Sequence, residues 1–228
     1  MARTFAVGDI HGCRAALEAL LGVLDLQNDD TLILLGDYID RGPDSAGVLE
    51  TLISLQEKCR LVPILGNHDE LLLQVVDGAT WQEGYWLSFG GVQTLKSYGT
   101  DSVAGIPSDH VDFLRGCQNF FELDYHFFTH ANYQEKRKLE KTPPMVLRWE
   151  SLATRTPGPH ISQKVAVLGH TAQKTTCDIL YLGHIICIDT YCYGKGFLTA
   201  FDVYSGEYWQ VKKDGQSVVK KRLSGKIV

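Results

Sequence analysis

Short apolar runs and amphipathic stretches take turns along the first third of the chain. Residues 4–8 (Thr-Phe-Ala-Val-Gly), 31–35 (Thr-Leu-Ile-Leu-Leu) and 61–65 (Leu-Val-Pro-Ile-Leu) are apolar or β-branched almost throughout, which predicts buried strands. Between the first two, Leu17, Leu20, Leu21 and Leu24 recur at i, i+3, i+4 and i+7 and predict a helix over 14–26. After Pro43-Asp44-Ser45, the residues Val48, Leu49, Leu52, Ile53 and Leu55 give a second apolar stripe that ends near Lys58. Strand, helix, strand, helix, strand predicts parallel pairing with right-handed crossovers.

The rhythm then changes. Residues 70 to about 116 are helical in pattern but irregular, with Trp81, Tyr85, Trp86, Leu87 and Phe89 ahead of a break at Gly90-Gly91. They predict a helical insertion packed on the sheet edge, its aromatics in the core. Residues 120–130 have strand composition around a turn. Residues 131–163 are polar and carry Pro143-Pro144 and Pro157-Gly158-Pro159, the mark of a long loop excursion rather than a second domain. Residues 165–169 read as a buried strand ending at His170. Two hairpins follow, over 177–190 and 197–211, turning at Leu182-Gly183-His184 and Ser205-Gly206. A βαβ half followed by a β-meander predicts two sheets packed face to face in a single domain, 1–228.

Composition narrows the function. The chain has 228 residues, 44% hydrophobic and 21% charged, enough to bury a core without staples. A net charge of −5 argues against a general nucleic-acid binder. Lys212, Lys213, Lys220, Lys221, Arg222 and Lys226 form a basic cluster that reads as a solvated terminal hairpin or tail. The six cysteines form no C-x-x-C pair and several fall in apolar runs, so they are expected to be reduced and structural. With no apolar run of membrane-spanning length and no leader before the first strand, a cytoplasmic, soluble protein is expected, with neither membrane nor nucleic acid as partner.

Three strand ends carry the chemistry. Gly36-Asp37-Tyr38-Ile39-Asp40-Arg41-Gly42 follows the second run, with Gly8-Asp9-Ile10-His11-Gly12 and Gly66-Asn67-His68-Asp69 after the first and third. Ligands bind beyond the carboxyl ends of strands in such sheets. Asp9 and His11 flank a single residue, and with Asp37 they make an N/O donor set suited to Mn, Fe or Zn. Asn67, His130 and His170 each follow an apolar run and are placed to complete a second site, with Asp37 bridging. Paired ions roughly 3.5–4 Å apart lower the pKa of a bound water towards about 7. His110, His126, His160 and His184 lack such a context and read as non-ligands.

These three blocks, with Phe128-Thr129-His130-Ala131 and Leu168-Gly169-His170-Thr171, resemble in identity and order the blocks of the metallophosphoesterases. Within that superfamily they are similar to the phosphoprotein phosphatases, in particular the bacterial and phage serine/threonine branch, from Gly8 to about Phe201. The resemblance implies a four-layer α/β/β/α sandwich of two packed mixed sheets with flanking helices. It implies that Asp9, His11 and Asp37 hold one divalent ion and that Asp37, Asn67, His130 and His170 hold a second, Mn being expected with Fe or Zn as alternatives. Arg41 and Arg148 would grip the substrate phosphate with Asn67. His68, oriented by Asp40, would protonate the leaving oxygen after attack by a metal-bridging hydroxide. Two positions depart from the pattern: Asp69 stands where the family usually has glutamate, and Tyr191 where it often has glycine, a bulk that narrows the site mouth. The implied activity is phosphomonoester hydrolysis, on phosphoserine or phosphothreonine in a protein or peptide and on small phosphoesters. A symmetrical dinucleoside-tetraphosphate hydrolase shares the motifs and is the alternative. A non-catalytic binding protein on the same fold would require a broken ligand set, and no ligand position is missing. The oligomeric state stays open.

Overall fold

The computed structural model describes residues 2–224, so Lys226 of the basic cluster lies outside the described residues. The early apolar runs form β1 Thr4–Val7, β2 Thr31–Leu34 and β3 Arg60–Pro63, and the amphipathic stretches form α1 Arg14–Leu24 and α2 Ser45–Leu55. All three strands are parallel. Helix α2 starts at Asp44, whose carboxylate accepts the Gly47 N–H at 2.8 Å, satisfying one orphan donor of the first turn.

The next segment builds α3 Asn67–Val76, α4 Glu83–Trp86, α5 Val92–Ser97 and α6 Ser108–Arg115. Helices α5 and α6 pack on α2, and beyond α6 Gln118 bridges Ile64 in parallel, continuing the exposed edge of β3. The aromatics divide. Trp86 is fully buried, but Trp81, Tyr85 and Phe89 are exposed, against the expectation that all are core. Short helical turns give only one position each to the core, and here Trp86 takes it.

After the insertion come β4 Phe120–Glu122, β5 His126–Thr129, α7 Pro144–Trp149, β6 Val165–Leu168, β7 Leu180–Tyr181 and β8 Ile185–Cys187. The five strands form a second sheet in the order β4-β5-β6-β8-β7. Strands β5, β6 and β8 are parallel, so the expected meander does not form. The stretch between β5 and β6 is long enough for a crossover, which parallel pairing needs. The last strands, β9 Phe197–Asp202, β10 Glu207–Lys212 and β11 Val218–Arg222, return to the first sheet, whose order is β11-β10-β9-β1-β2-β3. Strand β9 runs antiparallel to β1 and closes its open edge. The basic residues Lys220 and Lys221 lie on this terminal hairpin, paired with Glu207 and Asp178.

Alternation along the strands makes the layers. Phe5 and Val7 of β1 and Leu32 and Leu34 of β2 face α1 and α2, in one cluster with Leu17, Leu20, Leu49 and Leu52. Ala6 and Ile33 point the other way and meet Phe128, Val165, Val167 and Ile186 between the two sheets. On the outer face of the second sheet, Phe127, Ala166, Leu168 and Ile185 are covered by Tyr133, Leu139, Leu147 and Leu152. The result is two mixed sheets between flanking layers, with α7 and the 131–163 excursion forming the outer one. Both faces of the central strands are buried, which is why their sequences read as continuous apolar runs.

Candidate active site

The candidate residues leave the carboxyl ends of β1, β2, β3, β5 and β6, where the two sheets meet. The backbone there is tightly turned. Asp37, Asp40, Arg41, His11 and His170 all have positive φ, between 47° and 71°, a region non-glycine residues seldom occupy. Gly36, at φ 97°, passes so close to Gly66 that an added Cβ would lie 2.5 Å from the Gly66 nitrogen. Only glycine fits there.

Asp37 is the centre of the constellation. Its Oδ2 lies 3.4 Å from His11 Nε2 and its Oδ1 3.5 Å from His130 Nε2, and Oδ1 also accepts the His68 N–H at 3.0 Å. Two groups of ligand-type atoms share this carboxylate: His11, Asp37 and His68, and Asp37, His130 and His170, each within 4.8 Å. Burial alone raises the Asp37 pKa, but the surrounding imidazoles, His130 foremost, hold it well below the usual carboxylate range.

The histidine tautomers follow from their backbone partners, since a carbonyl can only accept. His11 donates from Nδ1 to Ile39 O at 2.9 Å, His130 from Nδ1 to Leu35 O at 2.6 Å, and His170 from Nε2 to Trp149 O at 3.1 Å. Each ring therefore turns a bare nitrogen lone pair inward. Asn67 Oδ1 lies 3.0 Å from the bare His130 Nε2 and 2.9 Å from the bare His170 Nδ1. The His130 and His170 lone pairs, the Asn67 oxygen and the Asp37 carboxylate converge with no proton between them, while the His11 lone pair faces the other Asp37 oxygen and accepts from Arg41. This is a donor arrangement that a divalent cation satisfies. Burial also keeps these rings neutral: it pushes His11 well down, lowers His130, and brings His170 to about 4. Deprotonated imidazole is the metal-binding form. The residues present thus fit a metal centre.

Asp9 sits beside these groups, its two oxygens accepting the His170 N–H at 3.0 and 3.1 Å. Burial, together with the charges of Asp189 and Asp37, pushes its pKa well up. Asp189 was not singled out from the sequence. It is buried beside Asp9, and burial raises its pKa to about 6. The available signal was its position directly after an apolar run ending at Ile188, the same strand-end placement as Asp9 and Asp37.

His68 and Asp40 form a buried pair, with His68 Nδ1 donating to Asp40 Oδ2 at 2.7 Å. The same carboxylate accepts Thr94 Oγ1–H at 2.7 Å and Trp86 Nε1–H at 3.1 Å. Burial raises the Asp40 pKa, while the His68 bond and charge pull it back. Thr94 and Trp86 join Asp189 as site residues whose roles the sequence did not reveal. Asp69 accepts the Gly66, Asp37 and Tyr38 backbone N–H groups at 2.8–3.1 Å. The shorter acid at this position therefore shapes the loop and touches no ligand atom.

The two arginines differ. Arg41 donates from Nη1 to the His11 Nε2 lone pair at 2.8 Å, and its guanidinium lies 4.6 Å above the Tyr193 ring. Arg148 is bound bidentately by Glu70 at 2.7 and 3.1 Å and donates to Asn119 at 2.6 Å, so the structure does not bring its fork onto Asn67 or Arg41. Its neighbour Trp149 does reach the site, through the carbonyl that orients His170. Tyr191 also adopts a positive φ, 69°, and stacks edge-on against Tyr193 at 4.8 Å. The Tyr191 backbone N–H donates to Asp189 at 3.0 Å.

The sequence matches the family model described as calcineurin-like phosphoesterase over residues 2–188. A curated protein of Nitrosomonas europaea, "Bis(5'-nucleosyl)-tetraphosphatase, symmetrical", is 32% identical over 150 residues, 65% of this chain and 52% of that protein. The chain thus matches about half the length of that relative. Among solved structures, a candidate diadenosine tetraphosphatase superposes with a TM-score of 0.66 at 24% identity, covering 97% of this chain and 93% of the other. A cold-active protein-tyrosine phosphatase of a psychrophilic Shewanella superposes at 0.70 with 16% identity, covering 98% and 81%. At these identities the structural likeness shows the fold alone.

Proposed function

Because the chain belongs to the calcineurin-like phosphoesterases, metal-dependent hydrolases, we propose that its substrate is a dinucleoside polyphosphate, cleaved at a phosphoanhydride. The observation that carries the chemistry is the convergence of unprotonated His11, His130 and His170 nitrogens on Asp37 and Asn67, with Arg41 donating to His11 and the His68–Asp40 pair alongside. In this reading Asp9, His11 and Asp37 hold one divalent ion and Asp37, Asn67, His130 and His170 the other. The mixed N/O donors suit Mn, Fe or Zn. When bound, such a pair of ions screens phosphate charge and supplies a water of lowered pKa.

The chain's own residues do the rest. Arg41 offers a planar fork that matches two phosphate oxygens, and Tyr193 beneath it holds the guanidinium flat. Asn67 contributes a side-chain amide from the His130–His170 side of the cluster. His68 is anchored through Nδ1, so its Nε2 faces the cluster and can deliver a proton to the departing oxygen. Arg148, drawn off by Glu70, serves substrate only if that pair opens.

The curated relative named as a symmetrical tetraphosphatase supports this substrate class. The expectation of a phosphoserine or phosphothreonine substrate gains no specific support from the comparisons. The deciding experiment is an assay of the Mn-supplemented chain on diadenosine tetraphosphate and on a phosphoserine peptide. Release of two ADP at a kcat/KM at least tenfold above that for the peptide is expected. A preference for the peptide would overturn the proposed substrate.

A further inference from the structure

Beside Arg41 the surface opens into a groove of about 510 Å³, lined by Arg41, Leu87, Phe89, Gly90 and Tyr193 among others. That volume falls in the range of small-molecule sites. None of the metal-ligand positions lines it. Its lining includes the candidate phosphate-binding arginine and two aromatic rings. Tyr193 is half-buried, packed edge-on against His11 at 4.9 Å. Phe89 is 37% exposed, and its ring centre lies 6.0 Å from that of His68. Phe89 is not enclosed as a core phenylalanine would be: its other ring neighbour among the described residues is Tyr85 at 4.5 Å, itself exposed.

We propose that this groove is a nucleobase subsite, in which the base of a nucleoside 5′-phosphate lies against Phe89 and Tyr193 while its phosphate reaches Arg41. The assignment rests on the reading of the neighbouring cluster as a phosphohydrolase site. Two features favour this occupant over a peptide. Arg41 is the one charged residue among those lining the groove, so the lining suits a ligand that pairs one anionic group with a neutral body. The body meets aromatic faces, on which any planar base stacks. The groove is also fastened to the phosphate end. The Arg41 N–H donates to Gly90 O at 3.3 Å, and Gly90 packs so closely on Arg41 that an added Cβ would lie 2.6 Å from its nitrogen. Base site and phosphate site therefore keep a fixed spacing.

The test compares two ligands that carry the same two phosphoryl groups, ADP and pyrophosphate, by calorimetric titration of the full chain in Mn buffer. Stacking of one base predicts that ADP binds about 5- to 150-fold more tightly than pyrophosphate. Phe89→Ala should remove most of that ratio and Phe89→Trp should retain it. Equal affinity of the two ligands in the wild type overturns the proposal, as does an undiminished ratio in Phe89→Ala. Loss of pyrophosphate binding together with ADP binding in Phe89→Ala also overturns it, because the ring would then act through the phosphate site. Failure to cleave diadenosine tetraphosphate bears on the proposed substrate and leaves this comparison of binding intact.

Discussion

His68 lies within reach of Asp37 and His11 and is also hydrogen-bonded to Asp40, so it is placed to act either as acid or as metal ligand. The leaving group separates the two. Phosphoserine expels a strongly basic alkoxide that needs a proton, whereas an anhydride expels a phosphate whose second pKa is about 6 and needs little help. General acid catalysis is worth about 10²–10⁴-fold. His68→Asn is therefore expected to slow a phosphoserine peptide by about 10²-fold or more and diadenosine tetraphosphate much less, with metal content measured by emission spectroscopy unchanged. Equal losses accompanied by metal depletion would make His68 a ligand. A second histidine matters for stability alone. His126 is buried with neither ring nitrogen partnered, and burial lowers its pKa from 6.5 to about 4. The unfolded chain takes up that proton near pH 6.5 and the folded chain only near 4, so stability falls as pH drops between them, by up to ~3 kcal/mol. Urea midpoints measured from pH 7 to 4 should decline less steeply for His126→Phe. A slope identical to the wild type would show that the ring is hydrated.

The helical insertion governs the site in a way its sequence pattern does not announce. The blocks at the strand ends were legible because ligand and scaffold are neighbours along the chain: an apolar run, then Gly-Asp or Gly-Asn. Trp86 and Thr94 bond to Asp40 across 46 and 54 residues, and no local signal marks a tryptophan or threonine for that role. The exposure of Phe89 was equally hidden, since an aromatic in a helical stretch reads as core until its facing is known. Gly90 joins this insertion to Arg41 at φ 121°. Gly90→Ala combines a strained backbone, about 1–3 kcal/mol, with a clash against Arg41. Gly78, at φ 98° with nothing near its added Cβ, carries the strain alone. Both alanine variants should melt several degrees lower, but only Gly90→Ala should also raise KM for diadenosine tetraphosphate, by about tenfold. Equal kinetics in the two would mean that the contact does not position Arg41.

Across the whole molecule, the parallel half of the first sheet was more legible than the parallel strands of the second, which read as a meander, or the way the first sheet is completed. The first βαβαβ unit follows from periodicity alone. The return of β9, β10 and β11 to β1 does not, because hairpins carry no mark of which sheet edge they will close. Legible blocks thus came from both sheets before their meeting could be seen: Asp37 and Asn67 leave the first, His130 and His170 the second. In the proposed reading, ions held between them would stabilise the folded state by about 2.7 kcal/mol at a hundredfold excess over Kd, which for a chain of this size is about 5–10 °C. EDTA should lower the melting temperature by that much and Mn should restore it, whereas an unchanged melting curve would place the ions outside the sheet junction. The same geometry bears on biosynthesis. Asp9 and its contact His170 are 161 residues apart, which at about 5–20 residues per second separates their emergence from the ribosome by on the order of ten to thirty seconds. Metal loading is therefore a late event, after translation has passed the second sheet. A product of premature termination before residue 130 lacks two of the six proposed ligands, His130 and His170, and no supply of metal completes its second site.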